Sequence, residues 1–298
     1  MELRGSVEWR FCPLHGAQGM SDESKEFQAC LDLICSSSKR ARNSHSVRWQ
    51  AERVFNWCRE NEARILYPGH PDYPFDLCRF ENPPPFLSVW GEIPWRERRC
   101  IAVVGSREPS RLATEWMEVH LAEFIRRTGA VTVSGGARGV DLKAHMISLR
   151  TGQPTVVFLP SGLGRMYPRE WIELKDDLTK TGGAIVSTYD PFQELRRWHF
   201  EERNRWIAAM GQVVFVVEAR RRSGSSMTAR LAREIDRTVC CLPGPPGLAY
   251  CAGSVDLLFE GGLPIRDADD LQVLFDLSSV KATRVELTDI AATDIVRA

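Results

Sequence analysis

Two rhythms of apolar and polar positions divide the chain. From about residue 100 to 245, short and nearly unbroken apolar runs fall at 101–104, 131–134, 155–159, 184–187, 213–217 and 238–241. Runs of this length, rich in Val and Ile, predict parallel strands buried on both faces. Between them, apolar residues recur at helical spacing over 111–127, 139–151, 169–181, 202–210 and 225–236. Strands alternating with helices predict an α/β fold built on a doubly wound, mostly parallel sheet. In such sheets a ligand sits outside the carboxyl ends of the strands, where the strand order reverses.

Residues 1–66 keep the helical rhythm alone. Phe27, Leu31 and Ile34 mark one helix over 26–35, and Val54, Phe55 and Cys58 mark a second over 47–63. The polar, basic stretch SSSKRARNSHS between them reads as a loop, and the region as a small helical appendage. From Tyr67 the text fills with proline and aromatic residues (YPGHPDYPFDLCRFENPPPFLSVWG), which predicts irregular or extended backbone. A short strand at 86–90 interrupts it, and the segment is expected to lie along the sheet as an entrance arm. The expected organisation is a helical region at 1–66, a sheet domain at 67–275 and a tail at 276–298.

At 298 residues the chain is long enough to bury one large core or two smaller ones. No apolar run approaches the roughly 18 residues that a membrane span needs. MELRGSVEWR carries charges where a signal peptide needs an apolar centre, so a cytoplasmic location without membrane contact is expected. Nine cysteines include no C-x-x-C pair, which predicts reduced, buried thiols and no metal site. Lys plus Arg equal Asp plus Glu at 39 each, so there is no global basic signature for nucleic acid. The distribution is uneven, however. Ten Arg stand against six acids between Pro191 and Cys240, and nine acids against four bases from Leu242 onward. A basic face on a neutral protein still attracts a polyanion locally.

Candidate chemistry gathers at the strand ends. After 101–104 come Gly105, Ser106 and Arg107; after 131–134 come Gly135, Gly136 and Arg138, with Ser134 closing the strand. PSGLGRMYP follows 155–159, and RNR (Arg203, Asn204, Arg205) stands near the head of the helix before 213–217. Ser223, Gly224, Ser225, Ser226 and Thr228 then meet the start of the next helix. Glycine lets backbone turn sharply and approach a ligand, and a helix N-terminus offers unpaired N–H groups that suit an anion. One such turn alone is equally well read as tight packing. Several on one sheet edge predict a single trough for a phosphate chain, with Tyr167 or Trp206 as candidate stacking partners for bases.

Catalytic patterns are missing. There is no G-x-x-x-x-G-K-[ST], no G-x-S-x-G and no full G-x-G-x-x-G, and His199-Phe200-Glu201 has no P-C-x-x-C to complete a zinc deaminase. Asp141 and His145, four apart on a helix, read as a cap and a core histidine. No cofactor is implied, and the expectation is a binding protein.

The stretches IAVVGSR (101–107), VSGGARGVDLKAH (133–145), FLPSGLGRMYP (158–168), FEERNRWIAAM (200–210), VVFVVEA (213–219), SGSSMTARLA (223–232) and CLPGPP (241–246) carry a resemblance in their order as well as their letters. Over about 67–271 the chain resembles the DprA/Smf DNA-processing proteins. The resemblance implies an extended Rossmann-like fold and binding of single-stranded DNA without sequence preference. It also implies homodimerisation and loading of the recombinase RecA onto incoming strands in natural transformation. The chain departs from the family pattern in KTGGAIVSTYDP, which has Ser-Thr where Ser-Glu is usual, in its extra arginines at 220–222, and in a tail without a winged-helix-like domain. The alternative on the same fold is a nucleotide sensor or a phosphoribohydrolase resembling the LOG enzymes. Their P-G-G-x-G-T-x-x-E is echoed only by Pro243-Gly244-Pro245, without the Thr or Glu. A pure interaction scaffold is the third reading.

Overall fold

The computed structural model describes residues 20–37 and 44–278; the basic stretch at 38–43 and the tail from 279 lie outside the described residues. Six strands carry the centre of the fold: β3 (Cys100–Val104), β4 (Val131–Ser134), β5 (Thr155–Phe158), β6 (Ala184–Ser187), β7 (Val213–Val216) and β8 (Thr238–Cys241). All pair in parallel. In β3 every residue is buried, with Cys100, Ala102 and Val104 in the core on one face and Ile101 and Val103 in the core on the other. Alternating side chains thus feed two cores at once, which is why the run had to be apolar throughout.

Two short strands extend one flank, β1 (Arg64–Leu66) and β2 (Leu87–Gly91), and the two-residue β9 (Leu263–Pro264) extends the other. The full order is β1-β2-β6-β5-β4-β3-β7-β8-β9, with β2 antiparallel to both its neighbours. The expected doubly wound, mostly parallel sheet is present. Its order reverses at β3, which has β4 on one side and β7 on the other.

The N-terminal helices α1 (Asp22–Ser37) and α2 (His45–Glu60) lie within four residues of their expected bounds. They pack onto the sheet: Ala29, Cys30, Val54 and Phe55 share one apolar cluster with Val157, Ile185 and Trp171. The proline-rich segment is also integral. Its β2 pairs with β6, and Tyr73, Leu77 and Phe80 enter the core beside Ile207 and Met210, so it forms a flank of the sheet and not an arm over its entrance. Buried Arg237 ties that segment down through an ion pair to Asp76 and a 3.1 Å hydrogen bond to the Ala209 carbonyl.

The helix expected at 111–127 is α3 (Arg111–Trp116) and α4 (Ala122–Thr128) joined through a π-helical turn, Met117–Leu121. Helices α5 (Val140–Arg150), α6 (Glu170–Lys180) and α8 (Gly224–Glu234) match expectation closely. The largest difference is α7 (Arg197–Met210), which begins five residues before the expected start at 202. Its first turn, Arg197-Trp198-His199-Phe200, mixes basic and aromatic residues ahead of Glu201-Glu202 and hid a helix whose buried face includes His199, Arg203, Trp206, Ile207 and Met210. Helix α9 (Ala252–Phe259) and a helical stretch over 268–278 complete the described chain. None of the described helices is long and apolar enough to cross a membrane. Cys30, Cys58, Cys100, Cys240, Cys241 and Cys251 are buried thiols, and burial pushes those of Cys58 and Cys241 up to about 12, which keeps them protonated and unreactive.

Candidate nucleic-acid interface

The turn after β3 and the turn after β7 meet at the reversal point. Ser225 Oγ donates to the Gly105 carbonyl at 2.8 Å, which ties the two together. Ser223 caps α8, its Oγ accepting from the Ser226 N–H at 3.2 Å. Val140 N–H donates to the Ser106 carbonyl at 3.0 Å, and Gly139, at φ 84°, lets the head of α5 lie against the backbone of Ser106 and Arg107, where a Cβ would overlap both. Between these turns and α7 opens a depression of about 480 Å³. Gly105, Ser106 and Arg107 line it, as do Arg203 and Asn204, and Ser223, Gly224, Ser225 and Thr228.

The phase of α7 decides what its residues do. Phe200, Arg203, Asn204 and Ile207 share the face toward the depression. Arg205, two positions on and so roughly 200° around the helix, instead lays its guanidinium over Phe80 at 4.6 Å. Arg203 is only 4% exposed; its Nη1 donates to the Phe158 carbonyl at 3.1 Å, while its Nε has no partner. Burial pushes its pKa down and the charge of Asp141 pulls it back. Asp141, 8% exposed, also lines the depression. Burial raises its pKa, opposed by Arg203 and by hydrogen bonds from the Ala137 and Gly135 N–H groups.

The turn after β4 is built differently. Ser134 is fully buried, its Oγ 2.6 Å from the Val103 carbonyl. A Cβ on Gly135 would overlap the Arg203 guanidinium, and one on Gly136 (φ 67°) would overlap the Trp171 indole, whose Nε1 donates to the Gly136 carbonyl at 2.9 Å. These three residues do not line the depression. Neither does Arg138, which is exposed and pairs with Glu170 at 3.5 Å. Ser226 is buried with its Oγ bonded to the Arg220 carbonyl at 2.9 Å, so it holds the loop and not a ligand.

Sequence reasoning missed Phe200 and Arg220, which both line the depression, and read Asp141 as a cap. The signal for Phe200 was its place three before Arg203, one helical turn away. Arg107 lies over the Phe200 ring at 5.5 Å, and Tyr167, 45% exposed, meets that ring edge-on at 6.2 Å. Trp206 is no stacking platform: it is 2% exposed and packed against Phe80. His145 is the core histidine expected, its Nδ1 2.6 Å from Thr155 Oγ1 and its ring edge-on to Trp171.

The model of the family described as DNA recombination-mediator protein A matches residues 64–276, well over half of the chain. The chain belongs to this family. The DNA processing protein DprA of Bacillus subtilis is 32% identical over 220 residues, covering 74% of this chain and 73% of the relative. Protein Smf of Synechocystis is 32% identical over 216 residues, covering 71% of this chain; the chain spans only about half (54%) of that relative's length. Among solved structures, DprA of Streptococcus pneumoniae superimposes with a TM-score of 0.66 at 25% identity, over 86% of this chain and 93% of that one. DNA processing protein A of Helicobacter pylori, described for its unique single-stranded DNA binding mode, gives 0.62 at 26% identity over 71% and 94%. The family's Rossmann-like sheet and the motifs at 101–107, 200–210 and 223–232 therefore fall on the part of the chain that these relatives share.

Proposed function

We propose that the depression beside β3 and β7 grips the sugar–phosphate chain of single-stranded DNA without regard to sequence, and that the protein acts by binding, with no catalytic step. The observation that carries this reading is the convergence of two glycine-and-hydroxyl turns with Arg107, Arg203 and Arg220 on one depression. N–H groups at the head of α8 suit phosphate oxygens and carry no base information. The Phe200 ring, with Arg107 over it, offers a stacking face that every base fits. Asp141 and Glu108 are outnumbered by the three arginines, and Asp141 is engaged by two backbone N–H groups. The single-stranded DNA binding of the Helicobacter pylori relative supports the same assignment.

The finer roles belong to the same proposal: a cytoplasmic homodimer that protects incoming strands and passes them to a RecA-type recombinase in transformation and recombination. The sheet domain at 67–275 carries the groove, flanked by 1–66 and 276–298. The test is an anisotropy titration with labelled oligo-dT, a mixed-sequence strand and a duplex over a salt series. Equal affinity for the two single strands, weaker duplex binding and a log–log salt slope of about −0.7 per phosphate contacted are expected. Sequence-selective or salt-independent binding overturns the reading.

A further inference from the structure

Three observations make the depression more than a surface channel for a strand. The first is its floor. Arg203, 4% exposed, lines it and keeps an Nε with no hydrogen-bond partner, a costly state for a buried donor. The second is its size and lining. About 480 Å³ lies within the roughly 300–1,000 Å³ of small-molecule sites. One side is apolar (Val104, Ala137, Ile207, Ala219), with Phe200 beside it. The third is an open helix head. A Cβ on Gly224 would meet only Asn204 Nδ2, at 3.5 Å, so the approach to the first N–H groups of the eleven-residue α8 is unobstructed.

We infer that the depression is a cell for one nucleotide and takes a free nucleoside monophosphate, which competes with the DNA strand; the competition rests on the strand-binding reading above. The phosphate fits the head of α8 between Arg107 and Arg220, and the base fits the apolar wall and Phe200. Asn204 and Asp141 remain to meet sugar or base edges. Inorganic phosphate uses the helix head alone and leaves the apolar wall wet. The turn after β4 adds no phosphate site to the depression, because the spaces at Gly135 and Gly136 are filled by Arg203 and Trp171.

The experiment uses the full chain and two readouts at constant ionic strength: displacement of labelled oligo-dT, and thermal shift. AMP and dTMP are the probes, with inorganic phosphate as reference. At about 10 mM, a competitor of about 1 mM affinity raises the apparent Kd of the oligomer about tenfold, and inorganic phosphate is expected to do far less. Gly224→Asp, which places a carboxylate at the helix head without crowding, is expected to abolish nucleotide binding while leaving the melting temperature unchanged. If both nucleotides displace no more than phosphate does and give no thermal shift, the inference is overturned and strand binding stands. If oligo-dT itself fails to bind, the strand reading falls, and the thermal shift with AMP alone supports or overturns the nucleotide cell.

Discussion

The turn after β3 and the turn after β4 begin alike, each a glycine after a buried strand with an arginine shortly beyond, and they serve opposite ends. In the first, Gly105 to Arg107 face the depression, and the arginine is exposed over Phe200. In the second, the space that glycine leaves is taken by the protein itself: the Arg203 guanidinium lies against Gly135 and the Trp171 indole against Gly136. Omitting a Cβ admits whatever arrives there, ligand or side chain. What differs is the traffic. Helices α6 and α7 deliver Trp171 and Arg203 to the second turn, while the first turn meets Ser225, which bonds its carbonyl and leaves the front open.

The largest expected effect breaks this contrast on the packed side. Gly135→Ala drives the new methyl into the buried Arg203 guanidinium, which must give up its bond to the Phe158 carbonyl to move aside, and a loss of about 1–3 kcal/mol in urea unfolding is expected. Gly224→Ala, on the open side, is expected to change stability by less than about 1 kcal/mol, since its Cβ meets ordinary contact and the residue heads a helix. Equal losses for the two would erase the distinction between a filled and an open turn.

The packed turn is also where pH acts. His145 stands edge-on to Trp171 and is fully buried, and burial, helped by Arg203, lowers its pKa from 6.5 to about 3. Below pH 6.5 the unfolded chain takes up a proton that the folded one refuses until about pH 3. The stability from burying a neutral ring is therefore complete above about 6.5 and falls with decreasing pH, by up to about 1.4 kcal/mol per unit. His145→Gln is expected to flatten the stability profile between pH 6.5 and 5 relative to the parent, whatever its effect at pH 7. Parallel profiles would mean that His145 is reached by water.

How much of this was legible turns on separation along the chain. The strands were readable because each must be apolar on both faces, as β3 shows; the reversal at β3 was not, since strand order is set by pairing between runs far apart in sequence. The start of α7 was not, since its first turn mixes basic and aromatic residues and its capping contact, Arg196 N–H to His199 Nδ1 at 3.2 Å, carries no familiar signature. Without that start, the phase that turns Arg203 inward and Arg205 onto Phe80 stays hidden. The filling of Gly136 by Trp171 joins residues 35 apart through packing alone, which no local pattern records. Strands β1 and β9, of three and two residues, are too short to alternate.

On the open side the sharpest test is Arg107→Ala. The residue is exposed and lines the depression, so its loss is expected to leave the melting temperature unchanged, weaken single-strand binding about five- to tenfold for every sequence and reduce the salt slope by about 0.7. Unchanged affinity at fixed salt would remove the first turn from the interface.

The smallest effect belongs to the arginine of the packed turn. Arg138 carries the same charge as Arg107 and follows its strand at a similar distance, so a purely electrostatic account of the basic edge ranks the two together. Its side chain instead pairs with Glu170 at 3.5 Å, 81% exposed on the arginine side, and does not line the depression. Such a pair contributes at most about 1 kcal/mol, and an exposed charge already beside a carboxylate adds little net attraction for a strand at ordinary salt. Arg138→Ala is therefore expected to shift affinity by less than about twofold and to keep the salt slope of the parent within error. A loss matching that of Arg107→Ala would show that the strand runs across the second turn after all, and that the groove extends over β4 beyond the depression.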